Sequence, residues 1–357
     1  MTVDQAATRL AERALSTTYG DPARHLAVRA TIDTVGVMVG GLPQPDAEIV
    51  MSYARAAAPA GRVTALGLDA TTSPAMAAFV NGALAHVLDY DDVSHAMKGH
   101  PSAVLVPALL ALGEHTDASG RQLLDAYLAG FDTAVAVAAG LGVAEHYRRG
   151  WHATSTIGVF AAAAAGSRLL GLDVVRTAHA LGMAASFAGG SRQNFGSTTK
   201  SLHVARAAES AVLAVQLAAT GGTANHAAIE GPMGFFALLG PGMDGAAFEE
   251  ALGRSAGVLE PGGLNVKKYP CCYNTHRAAD AALATFEQHR GEGVGSARVR
   301  VEPTGSAALI YHAPQTGLQG KFCGEYVVAT ALLLGRVGLD DFTDEAVHRP
   351  AIRDLLS

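Results

Sequence analysis

From residue 4 to about residue 260, apolar side chains recur at spacings of three and four, and Gly, Pro, Ser and Thr punctuate the segments. A 3.6-residue period sustained over most of a chain rules out a sheet protein and demands helices packed on helices. "TTSPAMAAFVNGALAHVL" places Ser73 as a cap and Pro74 at the first helical position. "HPSAVLVPALLALGEH", "GRQLLDAYLAGFDTAVAVAAGL", "STIGVFAAAAAGSRLLGL" and "VVRTAHALGMAAS" follow, and their many alanines suit closely packed helices. "SLHVARAAESAVLAVQLAATGG" ends in a Gly pair suited to a left-handed helix terminus.

The texture changes near "LEPGGLNVKKYPCCYNTH". One more helix is predicted over "HRAADAALATFEQHR", after which "SARVRVEPTGSAALIYHA" begins with the alternation of a strand. The expectation is a mainly α chain, with a large all-helical domain over 1–260 and a smaller α+β domain over 261–357. That second domain has too few strands for a closed sheet, and the chain stops at "AIRDLLS" without completing one. A length of 357 residues suits two domains better than one small core.

Composition removes several function classes. Net charge is −6 and Lys and Arg are scattered, whereas nucleic-acid binding needs a basic stripe to displace counterions. "MTVDQAATRLAERALS" lacks the apolar core of a secretory signal, and later apolar runs read as too short and too polar to span a bilayer. Three cysteines, two of them adjacent, cannot build a disulfide framework, which points to a reducing, cytoplasmic setting. "GLGVAEHYRRG" lacks the strand and glycine fingerprint of a dinucleotide site.

The strongest local signal is charge on the wrong ends of helices. Asp89, Asp91 and Asp92 follow directly after a predicted helix, where the dipole is negative and each acid costs about 0.3–1 kcal/mol. Lys200 has the opposite fault in the first turn of "TTKSLHVARAAES", where the field should depress its pKa and make it a better proton acceptor. His100 and His152 immediately precede helices, where neutral imidazole is favoured. Cys272 precedes "NTHRAAD", where a helix amino end would favour the thiolate. Local rules break where function demands it. Helix amino ends carrying nitrogen bases and a thiol suit a small polycarboxylate and a proton on the carbon beside a carboxylate.

Ordinary structural roles compete with that reading. His86, His179 and His203 lie inside helical patterns and read as packing histidines, and Asp91 and Asp92 as caps of the loop "DVSHAMKG". Cys271 and Cys272 could both be buried small hydrophobes, and Tyr269 and Tyr326 packing residues. Only the coincidence of the features raises the functional reading above these. Asp89, Asp91, His95 and His100 have metal-ligand chemistry, but no H-x-x-x-H, H-E-x-x-H or C-x-x-C spacing accompanies them, so no metal is expected.

"LDYDDVSHAMKGHPSAV", "GWHATSTIGVFAAAAA", "SRQNFGSTTKSLHVARAAESAVLA", "GGTANHAAIEGPMGF", "KKYPCCYNTHRAADAAL" and "GLQGKFCGEYVVATALL" resemble, in order, signature segments of the MmgE/PrpD family. The resemblance runs from about residue 5 to the end and is specific for family more than for reaction. Family members include 2-methylcitrate dehydratase, cis-aconitate decarboxylase and iminodisuccinate epimerase. The resemblance implies a large helical domain with a smaller α+β domain, a homodimer, no metal or organic cofactor, and an active site between the domains. It places Asp89, His100, His152 and Lys200 in the pocket, with Lys267 and Tyr326 from the second domain, and His95 of the same loop joins the substrate-binding set. The loop to His100 is one residue longer than in the decarboxylase, and Val93 stands where that enzyme has threonine. Cys272 stands where the dehydratase and decarboxylase branches tend to carry histidine. Family members ordinarily continue beyond "RPAIRDLLS", so a shortened second domain is expected, with unpaired strands and exposed apolar surface.

The resulting expectation is a cofactor-independent lyase or isomerase that removes an α-proton from a small di- or tricarboxylate. Lys200 and Lys267 would bind carboxylates, with Lys200 available as a base. His100 and His152 would form the acid–base pair, Asp89 would orient a histidine, and Cys272 would be the second base of an epimerase. Rival readings are an iminodisuccinate-type epimerase, a cis-aconitate-type decarboxylase, and a non-catalytic carboxylate-binding relic.

Overall fold

The computed structural model describes residues 5–254, 256–260, 262–289, 293–301 and 306–356, which fall into two compact units. The larger takes Met1–Val87, Asp91–Ser191 and Ser201–Val266; the smaller takes Leu88–Tyr90, Arg192–Lys200 and Lys267–Ser357. The main boundary lies at 266/267, where the sequence suggested 260/261. Two short excursions, at 88–90 and 192–200, carry no sequence signal of their own.

The larger unit begins with α1 (Ala6–Ser16), α2 (Asp21–Gly41) and α3 (Pro45–Ala57), then the short strand β1 (Ala60–Val63). Next come α4 (Pro74–Val87), α5 (Pro101–Thr116), α6 (Gly120–Leu141) and α7 (Val143–Arg148). They are followed by α8 (Ala153–Leu169), α9 (Val174–Phe187), α10 (Thr199–Ala219), α11 (Phe235–Leu239) and α12 (Gly245–Gly253). Thr199 and Lys200, the first turn of α10, belong to the smaller unit.

Local chemistry explains these bounds. The Met76 N–H donates to Ser73 Oγ at 3.3 Å, so Ser73 caps α4 ahead of Pro74. Ser119 and Gln122 form a reciprocal capping box that starts α6. The left-handed Gly221 closes α10, and the Gly222 N–H returns to the Leu217 carbonyl at 2.8 Å. Helix α8 is apolar on all sides, and every residue from Ala153 to Ser167 is buried against α5, α6 and α9. At Gly130 of α6, a Cβ would fall 2.5 Å from Leu105 Cδ2 and 2.6 Å from the Ala161 carbonyl, so only glycine lets these backbones approach. Contrary to the sequence reading, α6 is long and apolar enough to cross a membrane; 67% of its apolar stretch is buried inside the fold.

The smaller unit holds α13 (His276–Gln288), α14 (Gly317–Gly320), α15 (Gly324–Leu334) and α16 (Pro350–Leu356). Ala279, Cys323, Tyr326, Val327 and Ala331 form its core. Mainly α holds for the chain, but the α+β expectation needs correction: no strand occurs among the described residues of this unit. Among the described residues, the alternating stretch 297–301 has no ladder partner, and Val299 and Val301 are about half exposed, at 48% and 46%. Residues 302–305 lie outside the described set. Alternation makes a strand only where a second edge can accept its N–H and C=O groups, and among the described residues none pairs with it.

Candidate active site

Residues 86–100 turn the chain from α4 into α5 and supply groups to both units. In the larger unit, His86 on the last turn of α4 and Asp91 are fully buried, with His86 Nδ1 2.8 Å from Asp91 Oδ2. His100 Nδ1 lies 3.2 Å from the same oxygen, within ion-pair range though off the line of a hydrogen bond. Burial alone would raise the Asp91 pKa, but the His86 and His100 rings outweigh it and hold the carboxyl well below its usual range. An ionised carboxylate thus fixes two imidazoles.

His100 and His152 are the N-caps of α5 and α8, and neither side chain caps its own helix. Their backbones are pinned instead: His100 N–H donates to Thr154 Oγ1 at 3.1 Å and His152 N–H to the Gly190 carbonyl at 2.9 Å. The rings are turned toward other imidazoles. His86 and His100 meet edge-on at 4.8 Å, His86 and His152 stack at 5.7 Å, and His152 Nδ1 faces His203 Nδ1 at 3.1 Å.

Beneath this row, Asp92 is fully buried and has no cationic partner among the described residues. It accepts the Ser102 N–H at 3.3 Å and pairs with the Ser102 hydroxyl, which meets Tyr127 OH at 2.6 Å. Burial pushes its carboxyl up to about 8, with the neighbouring Asp91 adding to the rise. Burial and then Asp91 likewise push Asp33, on α2, up to about 6. Two adjacent buried carboxyls cannot both ionise cheaply, so Asp91 keeps the charge and Asp92 the proton.

In the smaller unit, Asp89 sits in the left-handed region at φ 49°, just past the end of α4. Lys200 Nζ is 2.8 Å from Asp89 Oδ1, and Lys267 Nζ is 3.2 Å from Oδ2. Lys267 Nζ also donates to the Asp89 carbonyl at 2.7 Å, while Lys321 Nζ donates to the Leu88 carbonyl at 2.7 Å and the Pro270 carbonyl at 2.9 Å. The acid at the negative end of α4 is therefore offset by ammonium groups on its carboxylate and on two successive carbonyls. Phe195 and Phe322 flank Lys200, their ring centroids 5.2 and 5.3 Å from its Nζ. All three lysines are buried, at 6%, 4% and 5% exposure, and burial pushes Lys321 down to about 8. Two ammonium groups on one carboxylate and a third on the neighbouring carbonyls concentrate positive charge here, the kind of field that attracts anions.

The expected residues divide accordingly. Asp89, Lys200 and Lys267 come together in the smaller unit, and His100 and His152 join one row in the larger. Asp91 Oδ2 faces the His86 and His100 rings, while Asp89 pairs with Lys200 and Lys267. His95 is exposed in its loop, its N–H donating to the Gly262 carbonyl. Tyr326 is buried in the smaller unit's core with its hydroxyl donated to the Asp341 carbonyl, which gives it a structural role in place of the expected substrate contact. Cys272 does precede a helical turn, yet burial pushes its thiol up to about 11, so the expected thiolate does not form near neutral pH. Asp91 and Asp92 were flagged only as acids past a helix end, and His86, His203 and Lys321 were missed as chemistry. The two histidines sit inside apolar helical patterns, as packing residues do, and Lys321 lies in a motif without a signal of its own. His86, Asp91 and His100 also have metal-ligand donor types, and both imidazole Nδ1 atoms face one Asp91 oxygen.

The MmgE/PrpD N-terminal domain matches residues 8–246 and the MmgE/PrpD C-terminal domain matches residues 269–357. A cis-aconitate decarboxylase of Mus musculus is 28% identical over 305 residues, covering 81% of this chain and 60% of its own length. The Homo sapiens cis-aconitate decarboxylase is 27% identical over 344 residues, 92% of this chain and 70% of its own. One from Aspergillus terreus is 25% identical over 320 residues, 83% of this chain and 65% of its own. The chain thus spans 60% to 70% of the length of these relatives.

Proposed function

The chain belongs to the MmgE/PrpD family, and from that premise we propose that it is a lyase acting without metal or organic cofactor on a small polycarboxylate, with decarboxylation of cis-aconitate the first reaction to test. The observation that carries this reading is the set of buried lysines, with Lys200 and Lys267 on the Asp89 carboxylate and Lys321 on the adjacent Leu88 carbonyl, a concentration of ammonium groups that suits a multiply charged anion. Loss of CO2, or of a proton beside a carboxylate, leaves electron density that delocalises into a neighbouring carboxylate. Ammonium groups held in a dry environment stabilise that developing charge. Lys200 and Lys267 bind carboxylate oxygens. Lys321, committed to the Leu88 and Pro270 carbonyls, anchors the backbone beside Asp89.

Proton transfer falls to His100 and His152. Asp91 faces the His86 and His100 rings and holds their orientation, as a buried carboxylate does for a general base. An epimerase would require a second base opposite the first, and the neutral, buried Cys272 thiol argues against that role. Dehydration stays within the lyase reading, since it uses the same base with an acid for the departing hydroxide. A homodimer in the cytoplasm completes the proposal, and sedimentation equilibrium tests the dimer.

Proton NMR in D2O distinguishes the outcomes, with cis-aconitate, 2-methylcitrate, citrate and aspartate-derived diacids offered in turn after dialysis against a chelator. An alkene or itaconate-like product is expected. Deuterium entering an α-carbon without loss of substrate would instead mean epimerase chemistry, and thermal stabilisation without turnover a non-catalytic binder. His152→Ala should lose about 10²–10⁴-fold in kcat; retention of more than about a tenth of the rate would remove His152 from the chemistry.

A further inference from the structure

Beyond the assigned acid–base pair, the 3.1 Å contact between His152 Nδ1 and His203 Nδ1 has a consequence fixed by imidazole chemistry. A hydrogen bond between two ring nitrogens needs one to carry hydrogen and the other to be bare. The two histidines therefore cannot choose tautomers independently: a single proton occupies the Nδ1–Nδ1 line. We propose that His203 is the positioning residue and proton partner of His152, setting its tautomer and taking over its charge.

The surroundings hold the pair in that arrangement. His152 is the buried N-cap of α8, its N–H donated to the Gly190 carbonyl. Gly190, at φ +128°, presses against the other ring: a Cβ there would lie 3.3 Å from His203 Cγ and 3.4 Å from its Nδ1. Ser155 Oγ donates to the His203 carbonyl at 3.0 Å, fastening α10 to the first turn of α8. On the far side His152 stacks on His86, which Asp91 holds together with His100. Asp91 thus serves the His86–His100 end of this row, while His152 and His203 face each other ring to ring.

The proton balance is simple. With hydrogen on His152 Nδ1, His152 Nε2 is the reacting nitrogen. When Nε2 gains a proton, an N–H bond forms there, the Nδ1–H bond of His152 breaks, and a new N–H bond forms at His203 Nδ1. His152 ends neutral with its proton on Nε2, and His203 ends as the imidazolium. Reversal of these shifts delivers the proton back. The half-buried position of His203 on α10 suits the charged state better than that of His152, which is 2% exposed.

The pairing stands on geometry, while its effect on rate rests on the proposed lyase function, so two readouts are needed. In the 15N-labelled full chain, long-range 1H–15N correlations should show one of the two rings with hydrogen on Nδ1 and the other bare there. His203→Gln keeps a hydrogen-bonding amide but cannot carry the charge. It should move the His152 titration midpoint by about 0.5 pH unit or more, because coupled groups titrate as a pair. With cis-aconitate, the same variant should lower kcat by about tenfold or more while leaving KM within about twofold. His203→Ala with added imidazole serves as the second variant, and partial rescue of the rate is expected. An unchanged His152 titration would overturn the pairing whether or not any acid turns over. A shifted titration with undiminished kcat would overturn the charge transfer. If the wild type turns over no acid, the lyase reading fails, and the NMR spectra still decide the pair.

Discussion

Replacing Asp89 by Asn removes one negative charge from the centre of three buried lysines and leaves the backbone alone, since Asn tolerates the left-handed φ of 49°. At an effective dielectric constant of about 20, the 2.8 Å contact to Lys200 and the 3.2 Å contact to Lys267 correspond to about 6 and about 5 kcal/mol of attraction. Part of that offsets the cost of dehydrating the carboxylate, several kcal/mol for a buried ion, which the amide does not incur. The variant also takes this carboxylate away from two buried ammonium groups. The expected loss of unfolding free energy is about 3–5 kcal/mol, the range for removing one partner of a buried pair. Urea unfolding at about 0.05 and 0.5 M salt measures it, and the loss should persist at the higher salt because buried pairs are poorly screened. A polycarboxylate at about 1,000 times its Kd would return about 4 kcal/mol to the liganded protein. A loss below about 1 kcal/mol, the value of an exposed pair, would show that water reaches these lysines and would refute the polyanion argument with it.

Four further outcomes follow from the same geometry. Between its ordinary value near 4 and about 8, Asp92 keeps a proton when folded that the unfolded chain has lost, so its contribution lowers stability as pH rises through that window. Asp92→Asn should therefore gain on the wild type between pH 5 and 8, by at most about 1.4 kcal/mol per pH unit in urea unfolding. Lys321 runs the other way: held down to about 8, it has lost a proton that the unfolded chain keeps up to its ordinary value of 10.5. Wild type should thus gain on Lys321→Met between those values, and a flat difference would place Lys321 in solvent. Cys272→Ser should keep kcat within about threefold, and alkylation of Cys272 at pH 7.5 should run about two orders of magnitude slower than for a free thiol. Gly130→Ala should cost about 1–3 kcal/mol by thermal unfolding, because its methyl would meet the Ala161 carbonyl at 2.6 Å.

Much of the larger unit was legible from local rules. Ser73 with Pro74 started α4, the paired glycines after Ala219 ended α10, and the run of alanines marked the buried α8. These features depend on interactions within one turn of a helix, which short stretches of sequence encode. The misplacement of Asp89 and Lys200 against helix dipoles was also legible, because the dipole follows from the helix alone. What satisfies those charges was not. The Asp89 partners lie 111 and 178 positions away, at Lys200 and Lys267. Lys321 reaches the Leu88 carbonyl across 233 positions from the plain motif "GKFCGEY".

The same division explains the errors. The thiolate expected at Cys272 followed from the nearby helix end, a local field of fractional charge, but burial is a property of the whole fold and proved larger. His203 looked like packing because its helical position reveals nothing of the imidazole on α8 that faces it at 3.1 Å. The alternation of residues 297–301 promised a strand, yet a strand is a relation between two segments, and pairing is decided elsewhere. Sequence alone determined the helices, their ends, and which charges stood where a helix resists them, since those energies act over a few residues. The tertiary structure decided which charges are paired, which are neutral, and which imidazoles share a proton, because those depend on distance through space and on exclusion of water.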